Sequence, residues 1–227
     1  MSKGLKKAFT LANVILMTGL LLIAAALFWV YRNYMEDESA GKASEDTLYR
    51  IIAQVNAQKS ALDTEGQDAL PDGEIEIPDY LLNPDLEMPV QEIDGRDYLG
   101  TLSIPSLELE LPVAANLSLQ ALKIAPCYYT GSVYKDNMVI AAHNYRRHFG
   151  RIGTLKKGES VVFTDVEGNE FHYLVEKVEQ LEPYEVDRMI NSEYALTLFT
   201  CTLGGKHRVT LRCVKAEDNP VSTVAFG

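Results

Sequence analysis

The run LTLFTCTLGGKHRVTLRC, residues 196–213, decides how the rest of the chain reads. Two β-like segments flank Gly204-Gly205, the pattern of two strands joined by a turn. Alternation puts Thr197, Phe199 and Cys201 on one face of the first strand. Cys201 closes that strand where it gives way to loop, a place where a rigid sheet commonly presents reactive groups. A thiol attacks as the thiolate and is favoured by positive surroundings. Arg208 and Arg212 supply nearby cations, and their four-residue spacing sets both on one face of a strand beginning near His207. The same pattern fits a buried cysteine beside two surface arginines, and this stretch alone does not choose.

Further segments of the same kind precede it: YLGTLSIPS from Tyr98, LELELPVA from Leu107, NMVIAAH from Asn137, ESVVFTD from Glu159 and EFHYLVEKVEQL from Glu170. Turn signals separate them at Gly131-Ser132, Lys157-Gly158, Glu167-Gly168-Asn169 and Gly204-Gly205. Only Ser118–Ile124 reads as a short helix in this half, with Asn116 or Ser118 as its cap. Short strands at this spacing predict a mostly antiparallel barrel or sandwich. No internal repeat is present.

Histidine narrows the chemistry. His143 ends the apolar strand Met138–Ala142 and so mirrors Cys201, a functional side chain at a strand terminus. His172 lies inside an alternating strand and reads as structural; His148 lies in YRRHFG and reads as exposed; His207 adjoins Arg208 and is turned away from it by alternation. A Cys–His pair with an oxyanion-stabilising cation is a workable acyl-transfer site, and partners so far apart in sequence can meet in space.

The N-terminus speaks to compartment. MSKGLKK carries three lysines, and Phe9–Val30 then runs 22 residues without a charge. At about 1.5 Å per residue this spans a hydrocarbon core of roughly 30 Å. Lysines before and acids after predict an N-terminus inside and the remainder outside, with Trp29, Tyr31 and Tyr34 at the outer interface. Ala24-Ala25-Ala26 imitates a signal cleavage site, but Leu27–Val30 carry the apolar run past it, so an uncleaved anchor is expected. The formal charge of −11 is concentrated in residues 36–97, which hold seventeen acids against four bases; residues 98–227 hold fifteen against thirteen. No basic patch of nucleic-acid type is present, which sets nucleic-acid partners aside. Residues 32–96 read as an acidic stalk, with a helix from a Ser44 cap to about Lys59 and an extended linker over 60–95 containing Pro71, Pro78, Pro84 and Pro89. Leu48, Ile51, Ile52 and Val55 share one face of that helix, so that it could rest on the domain; the acidic segment as a whole would either space the domain from the surface or fold over the site as an inhibitory lid. Three cysteines, Cys127, Cys201 and Cys213, cannot all pair within one exported chain. Cys213 is expected inside the barrel and Cys127 near the histidine strand, with a 127–213 disulfide the less favoured alternative.

Here the sequence resembles the sortase family. ALTLFTC contains its TLxTC signature at Thr197–Cys201. VIAAHN, Val139–Asn144, is similar to the segment carrying the sortase histidine, and CTLGGKHRVTLRC to the cysteine–loop–arginine segment. YLGTLSIPSLELELPV, YYTGS, FGRIGTLKKGESVVF and VEQLEPYEV follow the expected order over about residues 97–215. The resemblance implies a mainly β fold, a closed eight-stranded sortase-like β-barrel with short helices, preceded by one N-terminal transmembrane helix. The organisation would then be cytoplasmic residues 1–8, an anchor over 9–31, an acidic extracellular stalk over 32–96 and a catalytic barrel over 97–227, on the outer face of a Gram-positive membrane.

The implied reaction is transpeptidation of an LPXTG-like sorting signal. Cys201 would form a thioester with the threonine carbonyl, His143 would carry protons, and Arg208 would hold the carbonyl oxygen. Thr197, Phe199 and Thr200 are candidates for substrate binding. The partners would be surface proteins bearing a C-terminal sorting signal and an amine from a peptidoglycan precursor or a pilin lysine. No cofactor and no metal are implied; Glu108, Glu110 and Glu167 read as scattered surface acids. The subclass is not fixed: Pro78-Asp79-Tyr80 and Asn83-Pro84-Asp85 do not reproduce the Asp-Pro-aromatic lid of pilus-building members; His143-Asn144 resembles class B, but a short loop without the extra helix of that class precedes the cysteine strand; a housekeeping or class D-like enzyme also fits. Two other functions compete: an extracellular cysteine peptidase that only hydrolyses, and a non-enzymatic membrane-tethered β-barrel that binds a partner.

Overall fold

Alternation along the C-terminal strands is realised as one sheet closed on itself. The computed structural model describes residues 3–65 and 78–216. Its elements are α1 (Lys3–Glu65), α2 (Asp79–Leu82), β1 (Gln91–Ile93), β2 (Arg96–Ile104), β3 (Leu109–Ala114), α3 (Leu119–Leu122), β4 (Cys127–Thr130), β5 (Met138–Ala142), β6 (Ser160–Asp165), β7 (Glu170–Leu181), α4 (Val186–Ile190), β8 (Leu196–Cys201) and β9 (Arg208–Lys215). The chain divides between Ser39 and Ala40 into two units.

The first unit holds the apolar part of α1. A window of this helix has mean hydropathy 2.4 and is not buried in protein, so by length and composition it is able to cross a membrane. Trp29, Tyr31 and Tyr34 are all exposed.

In the second unit the strand order is β1-β2-β3-β4-β5-β8-β9-β7-β6, and β2 also pairs with β6. That pairing closes an eight-stranded barrel from β2 to β9 and leaves β1 as an added hairpin arm. Closure depends on Gly100, opposite Asp165, where a Cβ would lie 2.0 Å from the Thr164 carbonyl oxygen. Most pairs are antiparallel, but β5 and β8 run parallel, from Met138↔Leu196 to Ala142↔Thr200. One face of these strands fills the barrel with Met138, Ile140, Leu196, Leu198, Leu211 and Cys213. On the other face Val139, Leu181 and Phe199 pack beneath Met189 and Ile190 of α4.

Several expectations for residues 32–96 are corrected. Ser44 caps no helix; it is buried in the middle of α1, where its Oγ donates to the Ile124 carbonyl at 2.8 Å. Ile51, 1% exposed, joins Ile93, Tyr98, Ala114, Ala121, Ala125 and Cys127 in a second apolar cluster. Arg50 binds both oxygens of Asp94 at 2.7 and 2.8 Å. Residues 40–57 are therefore part of the barrel unit and not a free stalk, with Ile51 and Val55 of the expected apolar face packed on the domain. The linker expected over 60–95 lies partly outside the described residues, at 66–77. Its remainder is structured: Asp94 and Gly95, with φ of 51° and 75°, make the two-residue turn of the β1–β2 hairpin. In α2, Tyr80 stacks on Tyr134 with centroids 4.8 Å apart at 8° and tilts against Phe171 at 5.4 Å. Asp85 pairs with Lys135 at 2.8 Å. These contacts lie where β5 and β7 begin, whereas His143 and Cys201 stand where β5 and β8 end. Residues 78–88 thus pack at the opposite end of the barrel from His143 and Cys201, the placement of a brace.

The helix expected over Ser118–Ile124 is present as α3, with Ser118 Oγ accepting from the Ala121 N–H at 3.0 Å. The short strand β4 and helix α4 carried too little periodicity to be expected.

Candidate active site

Three neighbouring strands position the polar residues. Ala142 faces Thr200 in the parallel β5–β8 pair, so His143 and Cys201 are the next residues of adjacent strands. Cys201 is in turn the cross-strand partner of Arg208 on β9. With strands about 4.8 Å apart, this register gathers the histidine, the cysteine and the arginine at one end of the sheet. All three are partly exposed. Thr200, 3% exposed, donates its hydroxyl to the Ala142 carbonyl at 2.8 Å and so ties the strand carrying the cysteine to the strand carrying the histidine.

Arg208 and Arg212 share a face but not a setting. Arg212 is 2% exposed. Its Nε donates to Glu179 at 2.9 Å, its Nη1 to Thr197 Oγ1 at 2.9 Å and to the Met189 carbonyl at 3.1 Å, and its Nη2 to the Arg188 carbonyl at 2.5 Å. It clips α4 to the barrel wall. Arg208 uses Nη1 alone, donating to the Gly205 and His207 carbonyls at 3.2 and 3.4 Å. Among the described residues its Nε and Nη2 have no protein acceptor, so three N–H donors on two nitrogens remain for another group.

Beside Arg208 lies a cavity of about 160 Å³ with an apolar wall of Tyr129, Pro183, Val186, Met189 and Phe199. Tyr129 and Phe199 meet edge to face, 5.3 Å apart at 86°. Glu182 and Glu185 stand at its margin. The Glu182 N–H and the Arg188 guanidinium hold the Glu185 carboxyl below the usual carboxylate range. Glu182 pairs with His207 Nδ1 at 3.2 Å. Of the residues singled out in the sequence, Phe199 faces this groove, whereas Thr197 and Thr200 are buried in the wall with their hydroxyls engaged. Tyr129, Glu182, Pro183 and Met189 had not been singled out. The β-favouring tyrosine pair of CYYT is the one signal that points to any of them.

The other histidines and cysteines sort as follows. His172 is half-exposed on β7 and pairs with Glu170 at 3.1 Å. His148, expected to be exposed, is 0% exposed, because the loop after β5 folds inward with Phe149. All three cysteines are free thiols. Cys213 lies inside the barrel, and Cys127 lies opposite Ala141 of the histidine strand. Burial pushes the Cys127 thiol up to about 11 and the Cys213 thiol up to about 12. Both are therefore thiols and not thiolates near neutral pH, unlike a working nucleophile. Among the described residues no group of three or more His, Cys, Asp or Glu is placed to hold a metal ion.

Comparison with known proteins agrees with the fold. Residues 102–216 match the family model of the sortase domain. Sortase A of Bacillus anthracis is 31% identical over 154 residues, which are 63% of this chain and 66% of that protein. A sortase D5 transpeptidase of Clostridium perfringens superposes with a TM-score of 0.53 at 18% identity, covering 78% of this chain and 99% of that one. Sortase C1 of Streptococcus agalactiae gives 0.51 at 19%, covering 78% and 100%. The family match begins within β2 and ends just past β9, on a fold these structures share, and the chain belongs to the sortase family.

Proposed function

We propose that this protein is a membrane-anchored cysteine transpeptidase that cleaves an LPXTG-like sorting signal and passes the acyl group to an amine. The observation that carries the reading is the register: Cys201 lies opposite Arg208 and one step beyond the Ala142↔Thr200 pair that leads to His143. Cys201 Sγ, its thiol proton passed to His143, attacks the threonine carbonyl carbon of the signal. The negative charge gathers on the carbonyl oxygen, where the unused donors of Arg208 stabilise it. As the C–N bond breaks, His143 gives a proton to the departing amine, and a thioester remains. The incoming amine, from a peptidoglycan precursor or a pilin lysine, attacks that thioester and surrenders a proton to His143, which frees Cys201. The apolar groove beside Phe199 takes the apolar part of the signal. Exchange through a thioester keeps the acyl group activated for the amine, and the chemistry draws on these side chains alone.

For topology, the three lysines before the apolar run support residues 1–8 inside and 9–31 in the membrane, with the barrel outside. The substrates are then surface proteins bearing the signal.

The test is intact-mass analysis of the full chain in detergent, incubated with a panel of LPXTG-like peptides with and without an amine acceptor. An acyl adduct on Cys201 that moves to the amine, and is absent from Cys201→Ala, is the expected result. An adduct lost only to water, even with amine present, marks a peptidase. No adduct, with Cys201 also inert to alkylation, refutes the nucleophile and favours a binding barrel.

A further inference from the structure

We propose that His207 is a positioning residue for Arg208: it occupies the Glu182 carboxylate and so keeps that acid from capturing the guanidinium. This rests on the reading of Arg208 as the group that stabilises the carbonyl oxygen. An arginine that must meet a developing anion is open to capture by any carboxylate within reach, because a carboxylate accepts the same fork of N–H groups. Glu182 is within reach. The β7–β9 pair runs as far as Leu181↔Arg208, and residues so opposed have Cα atoms about 4.5–5.5 Å apart. Glu182 is the residue after Leu181, and Glu182 and Arg208 line the same cavity. Glutamate and arginine side chains on neighbouring rungs are long enough to meet.

The backbone of Glu182 is pinned at the groove margin. Its N–H donates to Glu185 Oε2 at 2.8 Å, the Glu185 N–H donates back to the Glu182 carbonyl at 3.0 Å, and Arg188 Nη1 donates to Glu185 Oε1 at 2.6 Å. These bonds engage both oxygens of Glu185, the other acid of the margin, and leave Glu182 as the acid free to choose a partner. Among the described residues its carboxylate meets no lysine or arginine; it meets His207, whose Nδ1 lies 3.2 Å from Oε1. The neutral ring with its hydrogen on Nδ1 and the imidazolium both present an N–H to that oxygen. His207 is itself held in place, because its N–H donates to Thr202 Oγ1 at 3.1 Å and its carbonyl accepts from the Thr202 N–H at 2.9 Å. Take the ring away, and Glu182 Oε1 is left bare beside the three unused N–H groups of Arg208. A charge-assisted fork between them is then the strongest bond on offer, and it consumes the donors the carbonyl oxygen needs.

The experiment uses the full chain in detergent and compares His207→Ala, His207→Asn, Glu182→Gln and the double variant His207→Ala with Glu182→Gln. The readouts are transfer kinetics with an LPXTG-like peptide and an amine, and thermal melting. The His207 side chain is 42% exposed, so His207→Ala is expected to melt as the parent does. Its kcat/KM is expected to fall about tenfold, as the oxyanion loses its donors. His207→Asn, which keeps an N–H donor near the place of Nδ1, is expected to stay close to the parent. The double variant is expected to return to the level of Glu182→Gln alone, because an amide does not capture the guanidinium. A His207→Ala enzyme with parental kcat/KM overturns the proposal. So does a double variant that folds, by its melting curve, yet stays as impaired as His207→Ala, since a loop merely disturbed by loss of the ring is not repaired by neutralising Glu182. If His207→Ala melts early, His207→Phe, which keeps a ring and lacks the donor, replaces it in the same comparison. Arg208→Ala separates the two layers: if it keeps full transfer activity, the assignment of Arg208 itself falls, whatever His207→Ala does.

Discussion

Two arginines four residues apart on β9 look alike in sequence and differ in their surroundings. Arg212 is enclosed, and removing it leaves Glu179 and the Met189 and Arg188 carbonyls without their donor. Breaking such a buried pair costs about 3–5 kcal/mol, so Arg212→Ala should show a much lower urea midpoint. Glu179 adds a pH dependence of definite sign. Burial pushes its carboxyl up, but the bonds from Arg212 and Lys177 outweigh that and hold it below the usual range. A depressed carboxyl contributes stability above its unfolded pKa and loses it as pH falls through the folded one, so acid should weaken the parent more than Arg212→Ala. Arg208→Lys should behave in the opposite way, melting normally while kcat/KM falls on the order of 10²-fold, because an ammonium does not reproduce the guanidinium fork. Both variants together, in peptide kinetics and urea titration, separate the chemical arginine from the structural one.

At the level of elements, α2 decides between brace and lid. Tyr80 stacks on Tyr134 and packs against the barrel core at the end away from Cys201. Tyr80→Ala removes a partly buried aromatic contact, and a loss of about 1–3 kcal/mol is expected, with kcat/KM unchanged. Thermal melting and peptide kinetics check this; a rise in activity would indicate that the segment restrains the site. The β5–β8 pair supplies a second case. Thr200→Val keeps the volume but deletes the bond to Ala142, at a cost of about 1 kcal/mol. Because that bond joins the last paired residues before His143 and Cys201, kcat should fall more than KM rises.

For the whole molecule, the buried thiols set an alkaline limit. Cys127 and Cys213 are pushed from the thiol value of 9.0 to about 11 and about 12. Between those values and 9.0 the unfolded chain releases protons that the folded chain retains. Stability is therefore unaffected by them below about pH 9 and declines as pH rises from there towards 11–12. Cys213→Val should flatten that decline in urea titrations at pH 8, 9 and 10. The same burial predicts that iodoacetamide at pH 8 modifies Cys201 alone until urea unfolds the barrel, which peptide mapping checks.

Local chemistry carries far in this chain. Alternation is a property of adjacent residues, so β2, β3 and β5–β9 could be read directly, as could the Ser118 cap, the charge-free run of membrane length and the placing of Cys201, His143 and Arg208 at strand ends. The Asp94-Gly95 turn was equally legible but was hidden by the acidic, proline-bearing composition around it. Other features depend on which distant strand lies alongside. Thr200 bonds a residue 58 positions away, and only the parallel β5–β8 register sets the cysteine beside the histidine. Burial of His148 and the enclosure of Arg212 under α4 are likewise products of packing between remote segments. No local pattern encodes them, because a side chain's surroundings are fixed by the closure of the barrel and not by its neighbours along the chain.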